Sequence, residues 1–319
     1  MKRFISQLSL MIPFLFICIW NASAHDESYY LDLLKYGTDS DIEKAFSRVN
    51  KDLGEKVNRR LLDIFNEEHA EKVYLSIVSY IGMIGLKEAN EVLLQELSRK
   101  GRNEDYRETV IRTIGVLKKS SSLLTLTETY NSTQTSLRMK KAIIDSFGEI
   151  GDRNVEEMLI GIADDEYEDV EVRAHAVLAL GKIKSEKSIL LLQNMLHNVY
   201  EEKILRMYAA SSLSQIGGVS SLSALAKVIN DDSHEVAEYA VNGIAQMERI
   251  EGGEFLIKAL RSDYDKVRYY AVIGLGKLKY HDAVEALKFR AAYDVNDTVR
   301  KEAQKVLENM QELKQKNNR

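Results

Sequence analysis

The chain has 319 residues, of which 45% are hydrophobic and 29% are charged, and it contains one Pro, one Cys and one Trp. This composition excludes collagen-like, intrinsically disordered and disulfide-stapled proteins. The formal net charge of −5 argues against a nucleic-acid-binding protein, which needs a basic surface to replace phosphate counterions.

The first 24 residues have the order of segments typical of a secretory signal peptide. Lys2 and Arg3 precede an apolar stretch over residues 4–20, and a small-residue ending, Ala-Ser-Ala, closes at Ala24. We therefore expect cleavage after Ala24 and a periplasmic or secreted mature protein. An uncleaved membrane anchor is one alternative, although the stretch is short for a span of about 20 residues and Pro13 interrupts it.

A second alternative is a lipid anchor on Cys18, but Ile17 stands where bacterial lipobox motifs usually carry a small residue. Removal of residues 1–24 takes away the single Cys, Pro and Trp of the chain. It also removes Lys2 and Arg3, which changes the formal net charge from −5 to −7. The mature chain would form no disulfide.

Residues 25–69 predict helices of irregular spacing, around 29–36, 42–52 and 56–67. A regular pattern begins only at about residue 70. We therefore interpret residues 25–69 as an N-terminal helical cap, because the terminal units of a stacked array need a polar outer face.

One helical pattern then recurs at an almost constant interval. It is clearest in residues 172–181 and 267–276, each of which ends in a glycine that we call the anchor. Successive anchors are 31 to 33 residues apart. The eight anchor positions are Gly82, Gly115, Gly148, Gly181, Ser214, Ala245, Gly276 and Glu308. Periods of this size are typical of stacked helical pairs, in which no single unit buries its own apolar face.

Each unit contains two helices by its apolar pattern. In the unit that ends at Gly181, residues Val172, Val177 and Leu180 fall on one helical stripe. A second apolar segment lies between anchors, as in residues 189–196, and turns rich in Asp, Asn, Ser and Gly separate the two. Because no sustained period-two alternation occurs, we predict an all-α fold.

These units resemble HEAT repeats, including the short HEAT-like repeats associated with bilin lyases. The marks are an acidic turn followed by a Val-Arg pair that opens the second helix, as at Val267-Arg268 and Val299-Arg300. The resemblance covers about residues 70–308 and implies an α-solenoid, an armadillo-like superhelix of about seven to eight units. Residues 309–319 would form a polar C-terminal end.

The resemblance also implies that the basic residue of this pair binds acids in the turns and ties one repeat to the next. A basic residue occupies the position in six of eight units, as Arg107, Lys140, Arg173, Arg206, Arg268 and Arg300, and Tyr74 and Ala237 take it in the other two. We expect the contacts between repeats to be irregular at Tyr74 and Ala237.

Two HEAT-like groups are catalytic. Deoxyhypusine hydroxylases hold two irons with repeated His-Glu pairs, whereas this chain has one such doublet, His234-Glu235, in a turn. The glycine pairs at 217–218 and 252–253 lack the spacing and the Lys-Ser/Thr of a phosphate-binding loop. We therefore expect no metal and no cofactor. Bilin lyases have no compact motif to compare, so a HEAT-like lyase-type enzyme stays an alternative, although an exported protein is a poor candidate for attaching a cytoplasmic or plastid pigment.

The position six residues before each anchor carries a ring in four successive units. These residues are His175, Tyr208, Tyr239 and Tyr270, and beside them lie Leu178, Met207, Asn242, Tyr269 and Ile273. The resemblance places the second helices on the concave surface, so stacking would set the rings roughly 8 to 10 Å apart along one groove. Tyr is favoured at interfaces. We predict that these nine residues form a protein-binding groove; the alternative is that the rings pack between repeats.

In the earlier units the same face carries charged residues such as Glu108, Arg112, Lys141 and Asp145, which is typical of a solvated surface. Together the patterns predict a non-catalytic, exported scaffold or adaptor that binds another bacterial envelope protein through its concave face. No nucleic acid and no small-molecule substrate are expected. Membrane association would require lipidation of Cys18 or an uncleaved leader. A passive structural component of an envelope machine is a further alternative.

Overall fold

The computed structural model describes residues 26–317, and the side chains as far as Gln311. The expected leader over residues 1–24 lies outside the described residues. Residues 26–317 form eighteen α-helices, several of them preceded by a short 3₁₀ turn, and contain no strand. The prediction of an all-α fold is confirmed.

The helices alternate between two layers. The first layer consists of α1 (Glu27–Tyr36), α3 (Glu55–Asp63), α5 (Asn90–Ser98), α7 (Leu123–Asn131), α9 (Glu156–Asp164), α11 (Ile189–His197), α13 (Gly218–Ala226), α15 (Gly253–Ala259) and α17 (Val284–Tyr293). The second layer consists of α2 (Asp39–Phe46), α4 (Glu71–Ile84), α6 (Glu104–Leu117), α8 (Leu137–Ile150), α10 (Val170–Lys182), α12 (Lys203–Ile216), α14 (His234–Met247), α16 (Asp265–Leu278) and α18 (Asp297–Asn317). All eight anchors lie on second-layer helices, from α4 to α18.

Neighbouring second-layer helices contact each other continuously from α2 to α18. First-layer helices contact each other extensively only at α1/α3 and α11/α13. In a curved two-layer array the more closely spaced layer lies on the inner side, so the second-layer helices line the concave surface of the α-solenoid.

The apolar stripe of the second-layer helices is buried as the sequence predicts. In α10, Val172, Val177 and Leu180 have no exposed surface. A fully buried aliphatic side chain of this size stabilises the fold by about 1.5–3 kcal/mol relative to an exposed one. The stripe is therefore the main stabilising contribution within each unit, and the sequence register is confirmed.

The glycine anchors allow close contact with the next second-layer helix. A Cβ atom added at Gly115 would lie 2.8 Å from Cβ of Ser146, and one at Gly181 would lie 2.8 Å from Cβ of Ser212. The contacted residue sits two positions before the following anchor. Its hydroxyl donates to a carbonyl of the previous helix, at 2.9 Å from Ser146 to Ile111 and 2.8 Å from Ser212 to Val177. Close helix approach and a buried hydrogen bond thus repeat together along the inner layer.

The basic residue near the start of the second-layer helices forms a ladder along the array. In four units it binds an acidic residue in the turn of the following unit. These pairs are Lys140–Glu168 at 2.8 Å, Arg173–Glu201 at 3.4 Å, Arg206–Asp231 at 2.5 Å and Arg268–Asp294 at 2.8 Å. This is the inter-repeat link that the HEAT resemblance implies.

The remaining four units depart from the ladder. The guanidinium of Arg102 lies 4.2 Å from the ring centre of Tyr74, and Ala237 has no polar side chain. Arg300 binds Asp297 of its own unit. The side chain of Arg107 has no acidic partner among residues 26–317. The irregularity expected at Tyr74 and Ala237 is present, and the irregularity at Arg107 is a new finding.

The N-terminal segment continues the two-layer order, because α1 packs on α3 and α2 packs on α4. The predicted helix over 42–52 is too long, since α2 ends at Phe46. The apolar residues Ile42, Phe46, Val49 and Leu53 have helical spacing, but the amide of Leu53 donates to the hydroxyl of Tyr80 at 3.0 Å. The amide of Leu53 is thus used in a tertiary hydrogen bond and not in a continued α2. At the other end α18 runs through the proposed 308/309 boundary to Asn317; the domain boundaries themselves stay predictions.

Candidate protein-binding face

The nine residues of the predicted groove lie on four consecutive second-layer helices, α10, α12, α14 and α16, and all nine are half-buried. They therefore belong to the inner layer of the array and keep part of their surface accessible. Met207, Tyr208, Tyr239, Tyr269 and Tyr270 also pack against the hydrophobic core. These side chains are therefore already held in place before a partner binds.

Two of the tyrosine rings lie closer together than the predicted 8 to 10 Å. The ring centres of Tyr208 on α12 and Tyr239 on α14 are 6.5 Å apart with an interplanar angle of 48°. The predicted spacing was wrong for this pair because it used the separation of helix axes, whereas half-buried rings lean across the gap between neighbouring helices. Within α16, the ring centres of Tyr269 and Tyr270 are 5.6 Å apart and meet edge to face.

Tyr208, Tyr239 and Tyr270 occupy the same position in three successive units, and we call them the tyrosine column. Their hydroxyl groups remain accessible to solvent. Among residues 26–317, those of Tyr208, Tyr239 and Tyr270 form no hydrogen bond and are not among the buried polar atoms that lack a partner. They consequently face solvent. Burial of the ring, followed by the proximity of Tyr208 and Glu238, raises the pKa of Tyr239. The phenol therefore stays protonated at neutral pH and can both donate and accept.

His175 belongs to a charged cluster and not to the tyrosine column. Its Nδ1 lies 2.6 Å from Oδ1 of Asp145, whose other oxygen lies 3.1 Å from Arg112. Burial raises the pKa of Asp145, but the hydrogen bonds from His175 and Arg112 and their attraction outweigh it, so the pKa lies below its ordinary value. The carboxylate is therefore ionised and holds both partners.

The N-terminal half of the concave face is a network of ion pairs between successive helices. Arg138 binds Asp105 at 2.6 Å and also contacts Glu108. Lys141 binds Glu171 at 2.5 Å. Such partly exposed pairs contribute about 0–1 kcal/mol each and are weakened by salt. Such pairs continue into the C-terminal half, where Lys266 of α16 binds Glu238 of α14 at 3.4 Å, so that half differs by its tyrosine rings and not by a lack of ion pairs.

Two exposed aromatic residues escaped the sequence interpretation. Tyr167 is 100% exposed and Tyr200 is 94% exposed, in equivalent turns that lead into α10 and α12. Each amide donates to the side chain two residues earlier, Asp165 or Asn198, at 3.0 Å. The sequence signal was present, because the two tyrosines are one repeat length apart and each follows an Asx residue by two positions.

The His234-Glu235 doublet lies at the start of α14 and not in the expected turn, and both residues take part in ion pairs. Nδ1 of His234 lies 3.2 Å from Glu235, which also binds Lys203 at 2.5 Å. The hydrogen bond from Lys203 is the main reason that the pKa of Glu235 falls to about 2. In the described part of the chain, no group of three or more His, Cys, Asp or Glu side chains is placed to bind a metal ion.

The helices of residues 26–317 include none with the length and apolar character needed to span a membrane. The described fold is a two-layer α-solenoid that carries ion pairs along its inner layer and tyrosine rings in the C-terminal half of that layer. The HEAT repeats family model matches residues 135–214, 168–245 and 223–308. The chain belongs to the HEAT repeat family.

Comparison with solved structures gives three similar chains. Kap121p bound to Ste12p superposes with a TM-score of 0.55 at 11% identity, over 89% of this chain and 37% of that one. The complex of CpcE and CpcF of phycocyanin lyase from Nostoc sp. gives 0.48 at 14% identity, over 82% and 97%. Human deoxyhypusine hydroxylase gives 0.37 at 16% identity, over 86% and 96%. At 11% identity the similarity to Kap121p shows the fold alone. No curated protein sequence matches the chain.

Proposed function

We propose that this HEAT-repeat protein is an exported, non-catalytic scaffold or adaptor that binds a segment of another cell-envelope protein on its concave face. The observation that carries the proposal is the tyrosine column on α12, α14 and α16. Its rings are fixed by packing while its hydroxyl groups are open to solvent.

Packing and binding are compatible at this face. A ring already immobilised against its neighbours loses little further entropy when a partner docks. Tyr208, Tyr239 and Tyr270 would supply apolar ring edges and hydroxyl groups, and Asn242 would supply an amide for the backbone of an extended or helical segment. The column crosses three helices, which suits an elongated segment better than a compact ligand.

The first experiment identifies the partner by site-specific photocrosslinking in intact cells. The crosslinking residue replaces Asn242 on the concave face, and a matched control replaces Leu190, which is 67% exposed on the outer helix α11. We expect a discrete protein adduct at position 242 and none at 190. Equal adducts at both positions would instead fit a passive structural component that is surrounded on both sides.

The second experiment separates binding from packing with the captured partner. The triple variant Tyr208→Phe, Tyr239→Phe, Tyr270→Phe keeps every ring and removes the hydroxyl groups. We expect at least about a tenfold loss of affinity with unchanged melting, because the lost hydrogen bonds involve the partner alone.

The double variant Tyr239→Ala, Tyr270→Ala should lose at least about 2 kcal/mol of affinity, the usual threshold of an interface hot spot. Thr109→Ala, at the same position of an earlier unit, is the matched control. A double variant that melts normally and binds fully would refute the groove.

A further inference from the structure

In the ladder of basic residues, Arg107 has no acidic partner in the following unit. Lys140 and Arg173 each bind an acid 28 residues further along the chain, Glu168 and Glu201. The residue 28 positions after Arg107 is Thr135, which carries no charge. Its hydroxyl instead donates to the carbonyl of Thr129 at 2.5 Å. Arg107 thus keeps the basic member of the pair without the carboxylate.

Arg107 also lacks the hydrogen bond that Nε of the equivalent arginine makes to a backbone carbonyl in two later units. Nε of Arg173 donates to the carbonyl of Ala163, and Nε of Arg206 donates to that of Leu196, at 3.1 and 3.0 Å. Nε of Arg107 is buried and has no hydrogen-bond partner. A buried donor without a partner destabilises the fold, so an acceptor that binds the guanidinium of Arg107 would stabilise it.

Arg107 lines a cleft of about 570 Å³ between the turn after α5 and the turn after α7. The cleft is also lined by Arg99, Lys100 and Arg102, with Glu128 as its acidic residue. Glu96 beside it binds Arg99 at 2.6 Å and Arg102 at 2.9 Å. Four cations therefore face two carboxylates, a local surplus of positive charge in a chain whose formal net charge is −5.

We propose that this cleft binds a phosphate or sulfate group, free or carried by a small molecule, which takes the place of the missing ladder carboxylate. A doubly charged oxyanion matches the surplus, and the planar guanidinium of Arg107 suits its geometry. The volume lies within the range of small-molecule sites. The cleft is at the turn edge of the array, so this site is separate from the concave face and independent of the proposed function.

Calorimetric titration of the purified protein with inorganic phosphate and with sulfate, at constant ionic strength, tests the site. Arg107→Gln should weaken binding by at least about tenfold, because it removes a charge-assisted contact. Thr135→Glu should fill the vacant place as Glu168 and Glu201 do, abolish phosphate binding and raise the melting temperature. Thr135→Gln, the neutral control of the same shape, should leave phosphate affinity within about twofold of the unmodified protein.

Two further arms decide the outcome. Tighter binding of phenyl phosphate than of inorganic phosphate would support a small-molecule ligand, and equal affinity would support the free ion. Phosphate that binds the unmodified protein and Thr135→Glu equally, or no stronger than chloride at the same ionic strength, would overturn the proposal.

Discussion

The strongest rung of the ladder is the ion pair between Arg268 and Asp294. The guanidinium binds both carboxylate oxygens at 2.8 Å, and the side chains are 5% and 0% exposed. Burial alone raises the pKa of Asp294, but the hydrogen bonds and attraction of Arg268 outweigh it and hold the pKa below its ordinary value. The folded state thus favours the ionised form. This stabilisation is present above the unfolded pKa of about 3.9 and is lost as the pH falls through the lower folded pKa.

We predict that Arg268→Met destabilises the protein by about 1–3 kcal/mol at neutral pH, because it removes two charge-assisted hydrogen bonds from the buried carboxylate of Asp294 and leaves it with Arg290 at 3.2 Å and the amide of Asn296. Arg300→Met, whose side chain is 37% exposed, should cost less than about 1 kcal/mol. Denaturant unfolding at several pH values measures both. The difference in stability between Arg268→Met and the unmodified protein should narrow as the pH falls through the lowered folded pKa of Asp294, because the protonated carboxyl no longer needs a cation; a difference that stays constant would contradict this explanation.

Sequence comparison alone predicts that a basic residue recurs at this position, and the structure supplies its acidic partners. Arg107 shows the limit of the pattern. Its residue type is regular, but its missing partner is visible only when Thr135 is compared with Glu168 and Glu201. An ion pair between units depends on two positions, whereas comparison of the repeats examines one position at a time.

At the scale of helices, close packing of the inner layer depends on a pair of small residues at each junction. A Cβ at Gly115 would lie 2.8 Å from Cβ and 2.9 Å from Cα of Ser146. Ser146 is itself fixed by its hydrogen bond to Ile111. The neighbouring helix must therefore shift to admit a methyl group. Gly161, in the middle of α9, has no atom within 4 Å of an added Cβ.

We predict opposite effects of the same substitution at these two helical positions. Gly115→Ala should cost about 1–3 kcal/mol, since overpacking outweighs the better helix propensity of Ala. Gly161→Ala should stabilise by about 0.5–1 kcal/mol, because propensity acts there without steric conflict. Chemical denaturation followed by circular dichroism compares the two variants. Stabilisation by Gly115→Ala would mean that α6 and α8 are further apart than described.

For the whole molecule, periodicity was sufficient to predict the helical pairs, their order and the buried stripe, because every unit buries the same apolar stripe against its neighbours. It could not predict the end of α2 at Phe46, which depends on the hydrogen bond between Leu53 and Tyr80. It also missed the contact of Tyr208 with Tyr239. Both features depend on side chains that lean towards another element, and no local spacing encodes them.

Export is the part of the proposal that concerns the whole chain, and a tryptophan assay tests it. The single Trp, Cys and Pro all lie in residues 1–24, so cleavage after Ala24 removes every tryptophan. We expect protein isolated from its native cells to begin at His25 and to show only tyrosine emission. Ala24→Lys should block cleavage, because the site requires a small residue, and should retain the emission of Trp20. A native N-terminus at acylated Cys18 would contradict cleavage after Ala24 and favour a lipid anchor, and an intact chain that begins at Met1 would contradict cleavage of the leader altogether.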